Sequence, residues 1–146
     1  MSKARQNVDK LNSFISALDF GVKADGSTND TAVMQACINA SYGNRVYLPA
    51  GVIKVSNLTI TDELELAGEG YTRTTISQIT GSTGDLITIN TSTSKHVVIR
   101  DVQVSGTATG QDCIALTGSL TSGTQILDAF VSLAGRDGIS IRSTND

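Results

Sequence analysis

Residues 18–31 decide the fold, and they read Leu-Asp-Phe-Gly-Val-Lys-Ala-Asp-Gly-Ser-Thr-Asn-Asp-Thr. Within this stretch Asp25-Gly26 predicts a turn, because glycine takes positive φ without steric cost. Asp30 or Thr31 can cap a following helix, since a side-chain oxygen there accepts from the free N–H groups of the first turn. The stretch therefore predicts a turn that leads into a short helix.

The predicted helix ends near Tyr42, and Gly43 suits the position just after a helix C-terminus. Its predicted apolar face consists of Ala32, Val33, Ala36, Cys37 and Ala40. A short helix of small residues can lie flat against another surface.

Residues 4–18 form a second helical pattern upstream of the turn. Apolar side chains recur at helical intervals, at Ala4, Val8, Leu11, Phe14 or Ile15, and Leu18. The stripe is narrow, so this helix needs a partner surface, either the body of the chain or the same helix in symmetry-related copies. We therefore divide the chain into a helical neck or connector, residues 1–18, and a second unit, residues 19–146.

From Arg45 onward the hydrophobic period changes. Short apolar runs separated by Gly, Ser, Thr, Asn and Asp occur at Val46–Leu48, Val52–Val55, Leu58–Ile60, Leu64–Ala67, Thr75–Ile79, Leu86–Ile89, Val97–Val104, Cys113–Leu116, Ile126–Leu133 and Ile139–Ile141. No helical pattern interrupts them, so they predict a series of short strands.

The later runs repeat. Asp101 matches Asp128 at an offset of 27, Asp112 matches Asp137 at 25, and Gly106 matches Gly135 at 29. A period of this size, built from two or three short strands, is typical of the coils of a parallel β-helix, which stack at about 4.8 Å. A β-sandwich also uses many short strands, but its tight hairpins produce no coil-length repeat. The pattern favours the solenoid.

Composition excludes several classes of function. The net charge of −3 leaves no basic stripe that could bind nucleic acid, and no apolar run is long enough to cross a membrane. The single histidine, His96, and the distant Cys37 and Cys113 have no metal-binding or disulfide spacing. The acidic residues form no recognisable calcium-binding set. We expect no metal and no cofactor.

Four segments of the chain carry a resemblance to a known family. Residues 19–26, 29–32, 35–36 and 46–51 resemble the start of pectate-lyase-like β-helix domains, in particular those of bacteriophage tailspikes and capsule depolymerases. The resemblance implies an all-β fold: a single-stranded right-handed parallel β-helix with a short N-terminal capping α-helix, preceded here by the helical neck. It also implies structural, not catalytic, roles for Asp25, Gly26, Asp30, Thr31, Gly43, Pro49 and Gly51 in the cap.

The same resemblance implies a function. It suggests the N-terminal part of a homotrimeric tailspike or tail fibre, made in the cytoplasm of the bacterial host and carried in the virion. Its partners would be a host capsular polysaccharide or lipopolysaccharide and, through its N-terminus, other tail or baseplate proteins. The alternatives are a secreted bacterial polysaccharide lyase or hydrolase, and a non-enzymatic virion adapter.

The resemblance also leads to an expectation about the C-terminal end of the chain. Residues 142–146 follow a strand with no C-terminal cap, so we expect that the natural chain continues or that a partner covers this end. Any depolymerase site would then lie in downstream coils.

Paired carboxylates are the expected chemistry in polysaccharide-cleaving relatives. Asp101 and Asp128 are candidates, because they would stack on successive coils, where one carboxylate raises the pKa of the other. A bend in each coil is the favoured role for them. Arg136-Asp137-Gly138 faintly resembles the Asn-Thr-Asp motif of polygalacturonases, with Gly135 and Arg136 replacing Asn and Thr. Asp112, one coil earlier, favours a repeated turn residue over a catalytic Asp137.

Overall fold

The computed structural model describes residues 14–92, 95–118 and 123–142. The chain forms one α-helix and fourteen strands in this part. The strands are β1 Phe14–Ser16, β2 Asp25–Asn29, β3 Arg45–Tyr47, β4 Gly51–Val55, β5 Leu58–Ile60, β6 Leu64–Ala67, β7 Thr74–Gln78, β8 Ile87–Ile89, β9 Val97–Arg100, β10 Gln103–Ser105, β11 Ile114–Leu116, β12 Thr124–Leu127, β13 Phe130–Ser132 and β14 Ile139–Ile141. The helix is α1, Thr31–Ala40, and a 3-10 helix covers Ala17–Phe20.

Three parallel sheets wrap around one core. The first sheet has the order β1-β3-β6-β9-β12, the second β13-β10-β7-β4-β2, and the third β14-β11-β8-β5. From β3 onward each turn of the chain adds one strand to each sheet, so successive coils stack and pair in parallel. The fold is the predicted right-handed parallel β-helix with a short capping α-helix.

The interior consists of stacked aliphatic rows. In the third sheet Leu58, Ile87 and Ile114 occupy matching positions, and all are fully buried. In the first sheet Val46, Leu66 and Ile99 form an equivalent row. Alternate residues point outward, and most of them are polar; this period-two pattern made the strands recognisable in the sequence.

Two predicted apolar runs each divide into two strands at a corner. Asp101 separates β9 from β10 with φ 55°, and Asp128 separates β12 from β13 with φ 46°. Aspartate tolerates this left-handed conformation better than most residues with a Cβ. At this corner the chain passes from the first sheet to the second. The pattern of apolar residues continues through the corner, so each run was predicted as one strand.

The register confirms two of the three predicted repeat pairs. Arg100 pairs with Leu127, which places Asp101 beside Asp128, and Ile114 pairs with Ile139, which places Asp112 beside Asp137. The match of Gly106 with Gly135 is wrong. Ser105 pairs with Ser132, and the Gly106 N–H donates to Ser132 O. Gly106 therefore corresponds to Leu133, and Gly135 comes two residues later in the chain.

The predicted helix over residues 4–18 is wrong at its C-terminal end. Phe14–Ser16 is a strand that pairs with β3, and Ala17 begins the 3-10 helix and is fully buried. Cross-strand pairing outweighs the weak helical periodicity, as tertiary contacts commonly do. The β-helix thus begins by Phe14, not at residue 19, and residues 1–13 of the proposed neck lie outside the described residues.

Helix α1 buries only part of the predicted face: Cys37 is buried and Val33 packs against the core, as predicted, but the three alanines do not. Met34, Cys37 and Ile38 are fully buried, whereas Ala32, Ala36 and Ala40 are exposed. The larger side chains remove more apolar surface from water, so they determine which face packs against the core.

The same helix pairs with the edge of the third sheet. The Gln35 side chain accepts a hydrogen bond from Thr59 N at 2.9 Å and donates one to Thr59 O at 2.9 Å. Thr31 Oγ1 accepts from Ser56 N at 2.8 Å, and Tyr42 Oη accepts from Thr61 N at 3.1 Å. These side chains satisfy backbone groups that a neighbouring strand would otherwise pair.

Replacing Gln35 by leucine tests this edge pairing. Gln35→Leu leaves the N–H and C=O of Thr59 without their partner, so we expect the free energy of unfolding to fall by about 2 kcal/mol. We also expect self-association through the opened edge of β5. Urea denaturation and sedimentation velocity measure the two effects. Gln125→Leu, on the exposed outer side of β12, is the matched control. Equal stability of the two variants would contradict the pairing role.

Candidate functional site

The carboxylate of Asp25 organises the turn that precedes the helix. It accepts from the N–H groups of Ser27 and Thr28 at 2.9 and 2.7 Å and from the Thr28 hydroxyl at 2.7 Å. The Thr28 hydroxyl and these N–H groups hold the pKa of Asp25 well below its usual range. Gly26 follows with φ 76°. The geometry is that of a local turn, not of a group that exchanges protons.

Asp30 lies where the helix begins, but its side chain does not cap the helix. The buried carboxylate instead accepts from the N–H groups of Lys23 and Ala24, at 3.0–3.2 Å. The first-turn contact comes from Asn29, whose side-chain oxygen accepts from Thr31 N at 3.0 Å. Asn29 was missed as a helix-start residue, although an Asx side chain two residues ahead of a helical N–H is a recognisable signal.

The remaining cap residues mediate contacts between the first coils. Gly43 has φ 80° and donates its N–H to Glu63 O at 2.7 Å. Pro49 O accepts from the Thr74 hydroxyl at 3.1 Å. Gly51 has φ 124°, and a Cβ there would stand 2.2 Å from Ala24 O, so only glycine fits.

Asp101 and Asp128, two of the three candidate catalytic residues, lie at the corner between the first and second sheets. Asp101 N donates to Leu127 O at 3.1 Å, which locks the two corners together one coil apart. The Asp101 carboxylate accepts from Arg100 Nε at 2.8 Å. Its carboxylate is therefore already paired. The rings of Tyr71 and Phe130 adjoin this corner.

The two rings lie close together at this corner. Their centroids are 6.5 Å apart, and both rings are half exposed. Beside them Glu69 accepts from the Tyr47 hydroxyl, and this hydrogen bond raises the pKa of Tyr47. Arg73 lies 3.5 Å from Glu69. Sequence reasoning missed this group, because Tyr71 and Phe130 are far apart in the chain.

Asp137, the third candidate, lies on a different corner and belongs to a ladder with Asp85 and Asp112. Asp112 N donates to Asp85 Oδ1 at 3.1 Å, and Asp137 N donates to Asp112 Oδ1 at 3.2 Å. Each carboxylate thus accepts the N–H of its counterpart one coil later. The structure does not bring Asp137 together with Asp101 or Asp128.

Asp112 is the buried centre of this ladder, and two arginines of the last described coil bind it. Arg136 donates through Nε and Nη2 at 2.9 and 2.8 Å, and Arg142 donates through Nη2 at 2.9 Å. The Ser140 hydroxyl also donates to it. The Arg136 guanidinium, with help from Ser140 and the Asp137 N–H, holds the pKa of Asp112 well below its usual range. This cluster ties coil to coil; we call it the Asp112 clasp.

These contacts limit the chemistry that the described coils offer. A catalytic pair needs one carboxyl group free to hold a proton and a second free to act as base or nucleophile. Asp101 and Asp112 are engaged by arginines, and Asp137 lies half exposed beside Arg136. Asp128 is exposed, but its neighbour across the coils is the arginine-bound Asp101, so it has no second free carboxylate beside it. Among the described residues, no group of three or more His, Cys, Asp or Glu side chains could hold a metal ion. Nor does any helix in the described ranges have the length and hydropathy needed to span a bilayer.

Comparison with known proteins identifies the family. The family model "Rhamnogalacturonase A/epimerase, pectate lyase-like" matches residues 14–104, which is more than half of the chain. The chain belongs to this pectate-lyase-like family. The matched range begins at β1 and ends within β10, so it covers the cap and the first coils.

Relatives of known activity match part of this chain. Mannuronan C5-epimerase AlgE4 of Azotobacter vinelandii is 43% identical over 75 residues, which is 44% of this chain and 14% of the epimerase. The K30/K69-specific capsule depolymerase 1 of Klebsiella phage K5-2 is 39% identical over 64 residues, 43% of this chain and 8% of the depolymerase. The chain therefore corresponds to a small part of these relatives.

A solved viral structure has the same fold. ORF18 of Geobacillus virus E2 aligns with a TM-score of 0.68 over 88% of this chain and 27% of the viral chain, at 22% identity. At that identity the likeness concerns the fold. The pectate-lyase-like chain thus has relatives among both bacterial alginate-modifying enzymes and phage proteins.

Replacing Asp112 by asparagine tests the clasp. Asp112→Asn keeps the shape but removes the charge that Arg136 and Arg142 bind, so we expect a loss of about 2 kcal/mol in the free energy of unfolding at pH 7. Because the folded pKa of Asp112 lies below the ordinary value of about 3.9, its contribution is present above that value and is lost as pH falls below it. The variant should therefore show less acid destabilisation than the parent.

Urea denaturation between pH 3 and pH 7 measures both effects. Asp137→Asn is the control, since its side chain is 58% exposed and we expect a change within about 0.5 kcal/mol. If the two variants lost equal stability at pH 7, the clasp would have no special role.

Proposed function

We propose that this chain is the N-terminal part of a bacteriophage tailspike or tail fibre that attaches to host surface polysaccharide. The observation that carries the proposal is that one chain has both a sequence likeness and a fold likeness to phage and viral proteins. Part of the chain is 39% identical to a phage capsule depolymerase, and 88% of the chain aligns in fold with a viral protein. A long, regular outer surface suits an extended polymer, because neighbouring coils repeat the same outward positions.

A second part of the proposal places any depolymerase site in coils other than those described. Two observations support it. In the stacked candidate pair Asp101 and Asp128, the Asp101 carboxylate is bound by Arg100, and the buried Asp112 is bound by Arg136. The matched segments are also only 14% and 8% of the epimerase and the depolymerase, so most of each relative lies elsewhere.

The last described coil supports a further stacked layer. Ile139 and Ile141 point inward from β14 and are 46% and 67% exposed, whereas their counterparts Ile114 and Leu116 are 0% and 8% exposed. A stacked layer would bury this apolar surface, at about 25 cal/mol for each Å² removed from water. Further coils or a partner subunit could supply it. We extend the proposal to a homotrimer in the virion, with other tail or baseplate proteins bound through the N-terminal region.

The alternative of a secreted bacterial polysaccharide enzyme has its own support in the 43% identity with a mannuronan C5-epimerase. A virion adapter without glycan activity is the third reading. The three differ in what the natural protein does to a polymer, so one set of assays separates them.

The test uses purified bacterial capsular polysaccharides, lipopolysaccharide and alginate. We expect residues 1–146 to bind at least one capsule in biolayer interferometry without shortening it in size-exclusion chromatography. The longer natural protein should bind and shorten the same polymer. Epimerised or lyase-cleaved alginate would favour the bacterial-enzyme reading. If the natural protein neither bound nor altered any polymer, the result would favour the virion adapter without glycan activity.

The corner aspartates provide a mutational test. Asparagine also tolerates the left-handed conformation, so Asp101→Asn and Asp128→Asn preserve the backbone. If these residues have turn roles, the natural protein carrying either change should cleave capsule within about twofold of the parent rate. The measurement is the release of reducing ends. A loss of a hundredfold or so in either variant, with an unchanged unfolding curve, would make that carboxylate catalytic.

A further inference from the structure

The aromatic rings of Tyr71 and Phe130 form the most distinctive apolar feature on the side of the β-helix. The chain has only six Tyr and Phe residues, three of each, and no Trp. Two of the six lie side by side on the surface, with 50% and 52% of their area exposed, 6.5 Å between centroids and an interplanar angle of 34°. Phe130 occupies an outward position on β13, so a further stacked coil would not place it in the core. Grouped exposed aromatic side chains mark an interaction surface.

We infer that this ring pair is a binding platform for an uncharged sugar unit of a polysaccharide chain. The inference rests on the proposed attachment to polysaccharide and assigns that attachment to particular residues. It gives Tyr71 and Phe130 a binding role at the corner where Asp101 and Asp128 form the bends of the backbone.

Backbone hydrogen bonds fix the two segments that carry the rings. Gly70 N donates to Asp101 O at 2.9 Å, and Thr74 N donates to Gly70 O at 2.9 Å, which fixes the loop that carries Tyr71. Phe130 is in β13, and its own N–H donates to Val102 O at 3.1 Å. A platform whose side chains sit on ordered backbone loses little conformational entropy on binding.

The polar neighbours suit the edge of a sugar ring. Thr75, Gln103 and Phe130 lie in one outward row across β7, β10 and β13. The hydroxyl of Thr75 and the amide of Gln103 can donate and accept hydrogen bonds. A pyranose presents C–H groups on its face and hydroxyls around its edge, so aromatic faces with polar groups beside them match it.

The charges near the platform favour an uncharged unit. Arg100 lies 2.8 Å from Asp101, and Arg73 lies 3.5 Å from Glu69, so both arginines already face a carboxylate. The charge of Asp128 also acts on Arg100 and, with Asp101 as the main cause, raises the pKa of that arginine. A uronate placed here would meet the Asp128 carboxylate without an unopposed cation, which is unfavourable.

The experiment titrates the 146-residue chain with neutral hexasaccharides of glucose, galactose and mannose, and with an alginate hexasaccharide. NMR shifts of the ¹³C-labelled aromatic rings report binding. We expect at least one neutral hexasaccharide to shift the Tyr71 and Phe130 resonances, and to bind at least about fivefold more tightly than the alginate oligomer. Tyr71→Ala and Phe130→Ala should each weaken that binding about five- to tenfold. Tyr71→Phe keeps a ring and should bind as the parent does.

Phe14→Ala is the matched control. Phe14 is 58% exposed and lies in β1, at the other end of the first sheet, so its loss should leave sugar binding unchanged. Circular dichroism and urea denaturation check that each variant is folded.

Each result decides between the proposals. Parental sugar or capsule binding by folded Tyr71→Ala and Phe130→Ala would overturn the platform while leaving the proposed function intact. A parent chain that bound no sugar and no capsule would overturn both. Ring variants that changed only the sedimentation coefficient would assign the rings to a protein contact and overturn the inference. Equal affinity for alginate would overturn its restriction to uncharged sugars.

Discussion

Backbone pairing between successive coils is the constraint on which the rest of this structure depends. Every strand is parallel to its neighbours in a sheet, so its N–H and C=O groups find partners in the coils before and after it. Such a stack has two ends, and at each end these groups need another partner. Helix α1 meets that need at the third sheet through Gln35, whose amide donates and accepts as a peptide group does.

Corners impose the second constraint, because three flat sheets can surround one core only if the chain bends sharply between them. Asp101 adopts a left-handed conformation there, and a Cβ on Gly68 would stand 2.4 Å from its carbonyl oxygen. The close approach explains why a glycine faces an aspartate across neighbouring coils. Inside the solenoid, polar groups are tolerated where they are fully paired, as Asp30 and Asp112 are.

Local patterns predicted the elements that local forces determine. The period-two runs marked the strands, and the Asp25-Gly26 turn and the helix before Gly43 were visible in single stretches of sequence. The strand at Phe14–Ser16 was not, because its partner β3 lies some thirty residues away and supplies the stabilisation. The same reason hid the Asp112 clasp and the ring pair. Arg142 and Asp85 meet only when coils stack, and so do Tyr71 and Phe130.

The division between inward and outward positions explains why the family is easier to recognise than the activity. Inward side chains and corner residues are constrained by the geometry of the stack, so we expect them to change less than outward residues among proteins that share this fold. Outward positions are free to change without loss of pairing. The residues that select a ligand should therefore be sought among outward side chains that break the polar pattern. In the described coils Phe130 is such a residue, since its nearest neighbours in the outward row are the polar Gln103 and Thr75.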